Sequence, residues 1–151
     1  MIENGVSIPR SIFAFNSANV EGWALYAEAL VKQYLPLAGQ IGSLQMRMLR
    51  EARAFLDPMV NLGLIEPAAV QSFLMQEVDR HSFRAPGRAT SYFYGCQKQL
   101  ALRGKVELAL RASFDARSYH DFIIDQGLLP PDLLEQAVME RYVPSRRTPS
   151  P

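Results

Sequence analysis

The stretch EGWALYAE, residues 21–28, sets the helical pattern of this chain. Its apolar side chains recur at the spacing of one face of an α-helix. Glu21 and Glu28 stand at its two ends, seven residues or about two turns apart, so both carboxylates project from roughly the same side. A carboxylate is costly to bury without a cation or a donor. By spacing alone, this pair is typical of the solvated edge of a core helix.

The helical period continues through the rest of the sequence. No segment alternates apolar and polar residues for long enough to indicate a β-strand. We therefore predict an all-α chain of about six helices. Their predicted bounds are residues 20–34, 39–56, 66–77, 88–112, 116–126 and 131–143.

Capping and helix-breaking residues set several of these bounds. Asn19 is a predicted N-cap, which places Glu21 in the first helical turn. Pro58 is expected to end the second helix, because proline lacks the N–H that a helix interior needs. Asp115 is the predicted N-cap of the fifth helix, and Gly127 follows its end in the position that glycine favours.

Two features of the predicted helices bear on how they pack. Gly95 and Gly104 lie inside the fourth helix, where glycine costs about 1 kcal/mol relative to alanine, so we expect close packing or a kink at both. The apolar residues of the second helix fall on one stripe. The stripe consists of Ile41, Leu44, Met48, Ala52 and Phe55.

Length and composition are those of one globular domain. The chain has 151 residues, a formal net charge of +1 and a single cysteine, Cys96. The low charge argues against nucleic-acid binding, which depends on neutralising phosphates. One cysteine excludes an intramolecular disulfide and a cysteine-based structural zinc site. The sequence has no apolar run of membrane-spanning length and no signal segment, so the cytoplasm is the default location.

The sequence divides into three parts. Residues 1–15 form a poorly patterned arm, and residues 16–143 carry the helical pattern. Residues 144–151 are rich in proline, serine and arginine, so we expect a disordered tail. The middle part therefore contains the predicted core.

Four blocks within the middle part follow one another along the chain. They are NSANVEGWALYAE at residues 16–28, RAFLDPMVNLG at 53–63, EVDR and PGRATSYFYG within 77–95, and FD, YHDF and GLLP within 114–130. Together they resemble the sequence blocks of a bacterial zinc-metallopeptidase-like family known as DUF885. The resemblance extends from about Asn16 to Val143, and it implies the C-terminal portion of a larger, helical, zincin-like fold.

The resemblance also implies that part of the family's zinc site is missing. Complete relatives are several times longer, and a HExxxGH-type segment upstream of the EGWALYAE block supplies two histidines and a general-base glutamate. That segment is absent from this sequence, and His81 and His120 do not have the spacing to replace it. We therefore expect a truncated portion of a zinc-dependent peptidase, with zinc bound in complete relatives but not by this chain alone, and no hydrolysis in isolation.

Carried over residue by residue, the resemblance assigns roles to two side chains in particular. Glu21 matches the glutamate that completes the metal sphere, and Tyr92 matches a tyrosine suited to stabilising the oxyanion during catalysis. Arg88 departs from the family pattern, which has glutamine at that position. The resemblance also implies that four further residues orient a metal ligand or contact the substrate. They are Glu28, Trp23, Arg88 and Tyr94.

Each of these polar residues also has a structural interpretation. Glu21 could stabilise a helix N-terminus, and Glu28 could be a solvated or salt-bridged residue of a helix face. Tyr92 could belong to an aromatic stripe in the core. His120 lies among aromatic residues of the fifth helix, and we interpret it as a structural histidine rather than a ligand. Asn61 stands near a histidine of many relatives, and we assign it no catalytic role.

Two functional hypotheses follow. In the first, the chain works with an N-terminal half, or with another copy of itself, which completes the metal site for a peptide substrate. In the second, it is a non-catalytic helical module that binds a protein or peptide, or the remnant of a gene. Both predict an apolar patch left exposed on the first, second and fourth helices. Full-length relatives can be exported, so the default location applies to this chain only.

Overall fold

The computed structural model describes residues 6–71 and 88–147, and all regular secondary structure within these ranges is helical. The all-α prediction is therefore confirmed. The α-helices of the described ranges are α1 Ile8–Phe13, α2 Ser17–Val31, α3 Leu37–Asn61, α4 Pro67–Gln71, α5 Arg88–Leu110, α6 Ala116–Asp125, α7 Pro131–Ala137 and α8 Val143–Arg146. Short 3-10 turns follow α2 and α5 at Lys32–Tyr34 and Arg111–Ser113, and a π-helical stretch, Val138–Tyr142, joins α7 to α8.

α5 is the helix on which the others pack. α2 and α3 lie against it, and α6, α7 and α8 cover its C-terminal half. The apolar core is therefore at the C-terminal end of α5, where aromatic and aliphatic side chains are removed from water. Its buried members are Leu102, Val106, Leu110, Tyr119, Ile123, Leu134, Val138, Tyr142 and Val143.

α2 and α5 cross with their backbones in contact at two glycines. A Cβ atom built at Gly22 would lie 2.3 Å from the carbonyl carbon of Gly95, and one built at Gly95 would lie 1.8 Å from the carbonyl oxygen of Ala18. Both distances are far shorter than any real Cβ contact, so the crossing requires glycine at both positions. Close packing at Gly95 is thus confirmed, whereas Gly104 has nothing within 4 Å of its Cβ position, so the close packing expected there is not found.

α2 begins three residues earlier than predicted. Asn16 is its N-cap, because the Asn16 side chain accepts a hydrogen bond from the Asn19 backbone N–H at 2.9 Å. Asn19 is instead buried inside the helix, where its side chain donates to the Leu129 carbonyl at 2.7 Å. The prediction of Asn19 as the N-cap is therefore wrong, and Glu21 lies in the second turn of the helix rather than the first.

α3 does not end at Pro58, as predicted, but continues to Asn61. Proline lacks the N–H that would otherwise bond to the Ala54 carbonyl four residues earlier. The Thr90 hydroxyl of α5 donates to this carbonyl at 3.4 Å. The prediction is wrong because a neighbouring helix supplies a donor where the proline removes one.

The two ends of the chain add short helical segments to the predicted set. α1 forms within the expected arm, and its Arg10 donates to the Gln126 carbonyl. α6 has the predicted caps, since Asp115 accepts from the Ser118 N–H at 2.8 Å and Gly127 has a φ of 66°. α8 reaches Arg146, three residues beyond the predicted end of the last helix. The rest of the predicted third helix and the loop after it fall within 72–87, outside the described residues.

The apolar stripe of the second predicted helix, now α3, does not face the core. Ile41, Leu44, Met48 and Phe55 are 45–69% exposed, whereas α3 turns the buried Ala54 and Asp57 inwards. The exposed apolar patch expected on three helices is present on α3. On the other two helices, the exposed large hydrophobic residues are Val31 of α2 and Tyr94 and Leu108 of α5.

Candidate functional site

Glu21, Arg88 and Tyr92 lie together where α2 meets the first turns of α5. The Arg88 guanidinium donates to Glu21 Oε1 at 2.8 Å, and the Glu21 side chain is only 15% exposed. The hydrogen bond with Glu21 raises the pKa of Arg88, and the Tyr92 phenol contributes in the same direction. The structure therefore brings together the predicted metal ligand and the predicted oxyanion donor, with Arg88 between them.

The presence of Arg88 changes what Glu21 can do. A guanidinium remains protonated at every pH a protein experiences, so Arg88 holds a fixed positive charge against the carboxylate. A metal ion approaching Glu21 has to displace this charge. The glutamine that the sequence resemblance implies at this position would present a neutral amide instead, so Arg88 lies at the centre of the candidate site.

Asp57 fixes the start of α5, and with it the position of Arg88. Its side chain is buried, although a carboxylate is among the costliest groups to remove from water. Asp57 Oδ2 accepts from the Ala89 backbone N–H at 3.2 Å, and Oδ1 accepts from the Asn61 amide at 2.7 Å. Asn61 therefore orients this buried carboxylate.

Glu28 faces α3 and is held separately from Glu21. Arg50 donates to Glu28 Oε2 at 2.7 Å, and the Ser43 hydroxyl donates to Oε1 at 2.9 Å. The salt-bridged interpretation of Glu28 therefore describes its contacts in the structure. The two carboxylates of the EGWALYAE stretch contact different arginines on different helices.

A small cavity opens beside Glu28 between α2, α3 and α5. Leu25, Leu44, Phe93 and Cys96 form its apolar side. Burial raises the pKa of the Cys96 thiol, so the group stays protonated and behaves as a small apolar side chain. This agrees with the buried role expected of the single cysteine.

Trp23 belongs to an aromatic cluster away from Glu21. Its ring lies 5.5 Å from that of Tyr26 and 5.9 Å from that of His120. The Tyr26 hydroxyl lies 2.8 Å from His120 Nε2 and accepts a hydrogen bond from Arg103 at 3.2 Å. Arg103 is in turn paired with Glu107 at 2.7 Å. Sequence reasoning missed this network, because Tyr26, Arg103 and His120 have no spacing relation that could indicate it.

The hydrogen bonds of this network accommodate a neutral His120. Arg103 can only donate, so the Tyr26 oxygen accepts from it. With the His120 proton on Nδ1, the Tyr26 hydroxyl can donate to Nε2. Burial and, next, the Arg103 cation lower the pKa of His120, while the nearby Asp121 opposes them. Both arguments lead to a neutral imidazole, as expected of a structural histidine.

The lowered pKa of His120 makes stability depend on pH in a defined direction. Because the folded pKa lies below the ordinary value of 6.5, the unfolded chain takes up the proton first as pH falls. The contribution of His120 is fully present above pH 6.5 and is lost below it. We expect the free energy of unfolding, from urea titrations at about pH 7.5 and about pH 5.5, to fall more for the native chain than for His120→Gln. Equal losses in the two proteins would contradict the neutral assignment.

Tyr94 does not join Tyr92. It is exposed on the outer side of α5, where the Lys98 ammonium lies 5.5 Å from its ring centroid. Of the six residues singled out from the sequence, Glu21, Arg88 and Tyr92 are therefore brought together. Glu28, Trp23 and Tyr94 lie in three other places.

Within residues 6–71 and 88–147, no three His, Cys, Asp or Glu side chains are placed to hold a metal ion together. In the same ranges, no helix combines the length and the apolarity needed to cross a bilayer.

The chain matches one protein-family model over most of its length. That model is described as a bacterial protein of unknown function, DUF885, and it matches residues 2–138. No curated protein and no solved structure matches the chain.

Proposed function

Because the chain belongs to the DUF885 family of bacterial proteins, we propose that it is the ligand-donating, C-terminal part of a zinc-dependent, peptidase-like protein. The observation that carries this proposal is the juxtaposition of Glu21 with Arg88 and Tyr92 at the crossing of α2 and α5. The Glu21 carboxylate of α2 is only 15% exposed, and the Tyr92 phenol lies about one turn after Arg88 on α5. The substrate class that follows is a peptide.

The donor side chains of residues 6–71 and 88–147 do not make a complete zinc site. A catalytic zinc takes three protein ligands and keeps one position open. The partner recorded for Glu21 is a cation, and no three donor side chains cluster in the described residues. We therefore derive no catalytic step for the isolated chain, and expect it to have no hydrolase activity. The missing donors would come from a polypeptide segment with the HExxxGH pattern.

Each residue of the candidate site would act on the carboxylate or on the substrate. Glu21 would be the donated ligand once Arg88 releases it. Tyr92 would place a phenol donor near the developing negative charge of an attacked carbonyl, which is the usual means of stabilising it. Arg88 would act as a competitor for Glu21, holding the carboxylate until the site is assembled.

Calorimetric titration with zinc tests this proposal. The titration is made on the chain alone and on the chain mixed with a polypeptide carrying the HExxxGH segment of a complete family member. We expect tight binding in the mixture and none to the chain alone. Glu21→Gln should weaken binding in the mixture at least about 100-fold, since it removes a ligand and not merely its support. Arg88→Gln should strengthen it by freeing the carboxylate.

Glu28→Gln is the matched control, because it removes a carboxylate of the same helix that is also paired with an arginine. It should leave zinc binding in the mixture unchanged. If Glu21→Gln and Glu28→Gln weakened zinc binding equally, the loss would be due to α2 as a whole and not to the Glu21 carboxylate. Absence of binding in the mixture would contradict the proposal, as would binding to the chain alone that survives Glu21→Gln.

A second candidate function is a non-catalytic module that binds a protein or peptide. The observation favouring it is the row of exposed apolar side chains along α3. A surface of this kind is typical of an interaction site. Zinc-independent capture of a helical polypeptide on α3, with no contribution from Glu21, would favour this candidate over the first.

A further inference from the structure

The cavity between α2, α3 and α5 combines apolar and charged side chains in one small space. Cys96 at its inner side is buried, whereas Leu44 is half-exposed, so the cavity runs from the interior to the surface. An apolar recess with a few polar groups around it is the usual form of a small-molecule site. The apolar lining comes from all three helices and consists of Leu25 and Ala29 of α2, Leu44 of α3, and Phe93 and Cys96 of α5.

The charged residues that line this cavity include one more cation than anion. They are Lys32, Arg47 and Arg50 on one side of the balance, and Glu28 and Glu51 on the other. In the part of the chain that the structure describes, each arginine pairs with one of the glutamates, and Lys32 takes part in no ion pair. The surplus positive charge therefore belongs to Lys32, at the C-terminal end of α2.

The two ion pairs of the lining differ in how firmly they are held. Arg50 and Glu28 join α3 to α2 with side chains 21% and 32% exposed, and the Ser43 hydroxyl also donates to Glu28. This pair is part of the cavity wall. Arg47 and Glu51 lie one turn apart on α3 and are 45% and 36% exposed. Because an exposed pair of this kind adds little to stability, Arg47 can turn to a new anion at small cost.

The electrostatics of Cys96 link the charged residues to the inner side of the cavity. Burial is the main cause that raises the pKa of the Cys96 thiol, and the Arg47 cation opposes it. The carboxylates of Glu51 and Glu28 act in the same direction as burial. The charges therefore lie within electrostatic range of the thiol, so a single short molecule can contact both.

We propose that this cavity binds a small amphipathic carboxylate, an acid with one carboxylate group and a short alkyl chain. The alkyl chain would lie against Leu25, Phe93 and Cys96, where its removal from water is favourable. Lys32 would hold the carboxylate, joined by Arg47 once this side chain leaves Glu51. An organic cation would have to displace an arginine from one of the glutamates, and a neutral molecule would gain nothing from Lys32.

The carboxylate site does not depend on the proposed function. Glu21, Arg88 and Tyr92 do not line the cavity, and the binding needs neither zinc nor the missing histidines. Absence of zinc binding in the mixture would leave the carboxylate site standing. Absence of carboxylate binding to the chain would leave the zinc proposal standing.

NMR titration of the full chain with butanoate, pentanoate and hexanoate tests the proposal. We expect saturable shifts of the backbone N–H signals of Leu25 and Cys96. The affinity should rise about fourfold with each added methylene, as expected for the burial of one such group. Hexanamide and protonated hexylamine, which have alkyl chains of similar length but no negative charge, should bind at least about tenfold more weakly than hexanoate.

Two variants separate the carboxylate from the alkyl chain. Lys32→Gln should weaken hexanoate binding about tenfold and leave hexanamide binding unchanged. Ala29→Leu, which fills part of the cavity, should weaken both, and the dispersion of the NMR signals shows whether it is folded. Lys105→Gln is the matched control for charge, because Lys105 pairs with Glu135 and does not line the cavity. It should leave hexanoate binding unchanged.

Four outcomes would overturn the proposal. The first two are the absence of saturable hexanoate binding, and an affinity for hexanamide or hexylamine equal to that for hexanoate. The third is an equal loss in Lys32→Gln and Lys105→Gln, which would show only a general attraction of anions to the chain. The fourth is a folded Ala29→Leu variant that binds hexanoate as the native chain does.

Discussion

Gly95→Ala should lower the free energy of unfolding by about 3 kcal/mol or prevent folding, whereas Gly104→Ala on the same helix should raise it. A methyl group at Gly95 would lie 1.8 Å from the Ala18 carbonyl oxygen and 2.8 Å from the Gly22 Cα. These atoms belong to the backbone of α2, so no side-chain rotation can relieve the clash. The two helices would have to separate along their contact.

Gly104 is the matched control, because it lies inside the same helix and its Cβ position has nothing within 4 Å. Replacing glycine by alanine in a helix interior without a clash gains up to about 1 kcal/mol, since the unfolded chain loses conformational freedom. Urea unfolding followed by circular dichroism measures both variants. A loss at Gly104, or changes of the same sign at both positions, would contradict the assigned crossing.

The same crossing positions the candidate site. Gly22 is the neighbour of Glu21 in α2, and the approach of α2 to α5 at Gly95 lets the Ser17 and Ser91 hydroxyls come within 2.7 Å of each other. This close approach brings Glu21 within reach of Arg88. A variant that pushes the helices apart should therefore also break the Glu21–Arg88 pair. Gly95→Ala should thus lower both the free energy of unfolding and the affinity for zinc in the mixture.

Local sequence patterns predicted the helical class and the caps of α6, because these depend on interactions between residues close in the chain. Asp115 and Gly127 are examples. The two glycines of α5 mark the limit of such reasoning. Gly95 and Gly104 are both interior positions of the same helix, and the approach of α2 makes close packing necessary at Gly95 alone of the two.

α3 shows the same limit in two ways. Its stripe could be recognised as apolar and helical, but an apolar face packs equally well against the core or against a partner, so the pattern does not say which. Its C-terminal end was misplaced at Pro58, because the replacement donor, Thr90, comes from another helix. Both features depend on tertiary contacts.

The candidate site was only partly accessible from the sequence. Glu21 and Tyr92 came from the family resemblance, and in the structure both interact with Arg88. The network of Tyr26, Arg103 and His120 joins residues 77 and 94 positions apart, for which the sequence holds no signal.

Asp57→Ala should lower the free energy of unfolding by about 2–3 kcal/mol, the second-largest effect expected of a single substitution here. Asp57 is buried, and its carboxylate accepts from the Ala89 N–H and the Asn61 amide. Ala89 lies in the first turn of α5, whose N–H groups have no acceptor within the helix. Asp57 therefore caps α5 from α3, where the helix dipole also favours a negative charge.

Removing the Asp57 carboxylate leaves the buried Ala89 N–H without its acceptor, which is why the expected cost exceeds that of an ordinary hydrogen bond. The Asn61 side chain is exposed, and its amide keeps its hydrogen bond to the Asp57 backbone carbonyl at 2.8 Å. Asp121→Ala is the matched control, since Asp121 is an exposed carboxylate on α6 and should change stability by less than about 0.5 kcal/mol. Urea unfolding at one pH, above the titration of His120, measures both. Equal effects would show that the Asp57 contacts add nothing to stability. The expected larger loss at Asp57 would establish that the start of α5, and hence the position of Arg88 beside Glu21, is set by a side chain of α3.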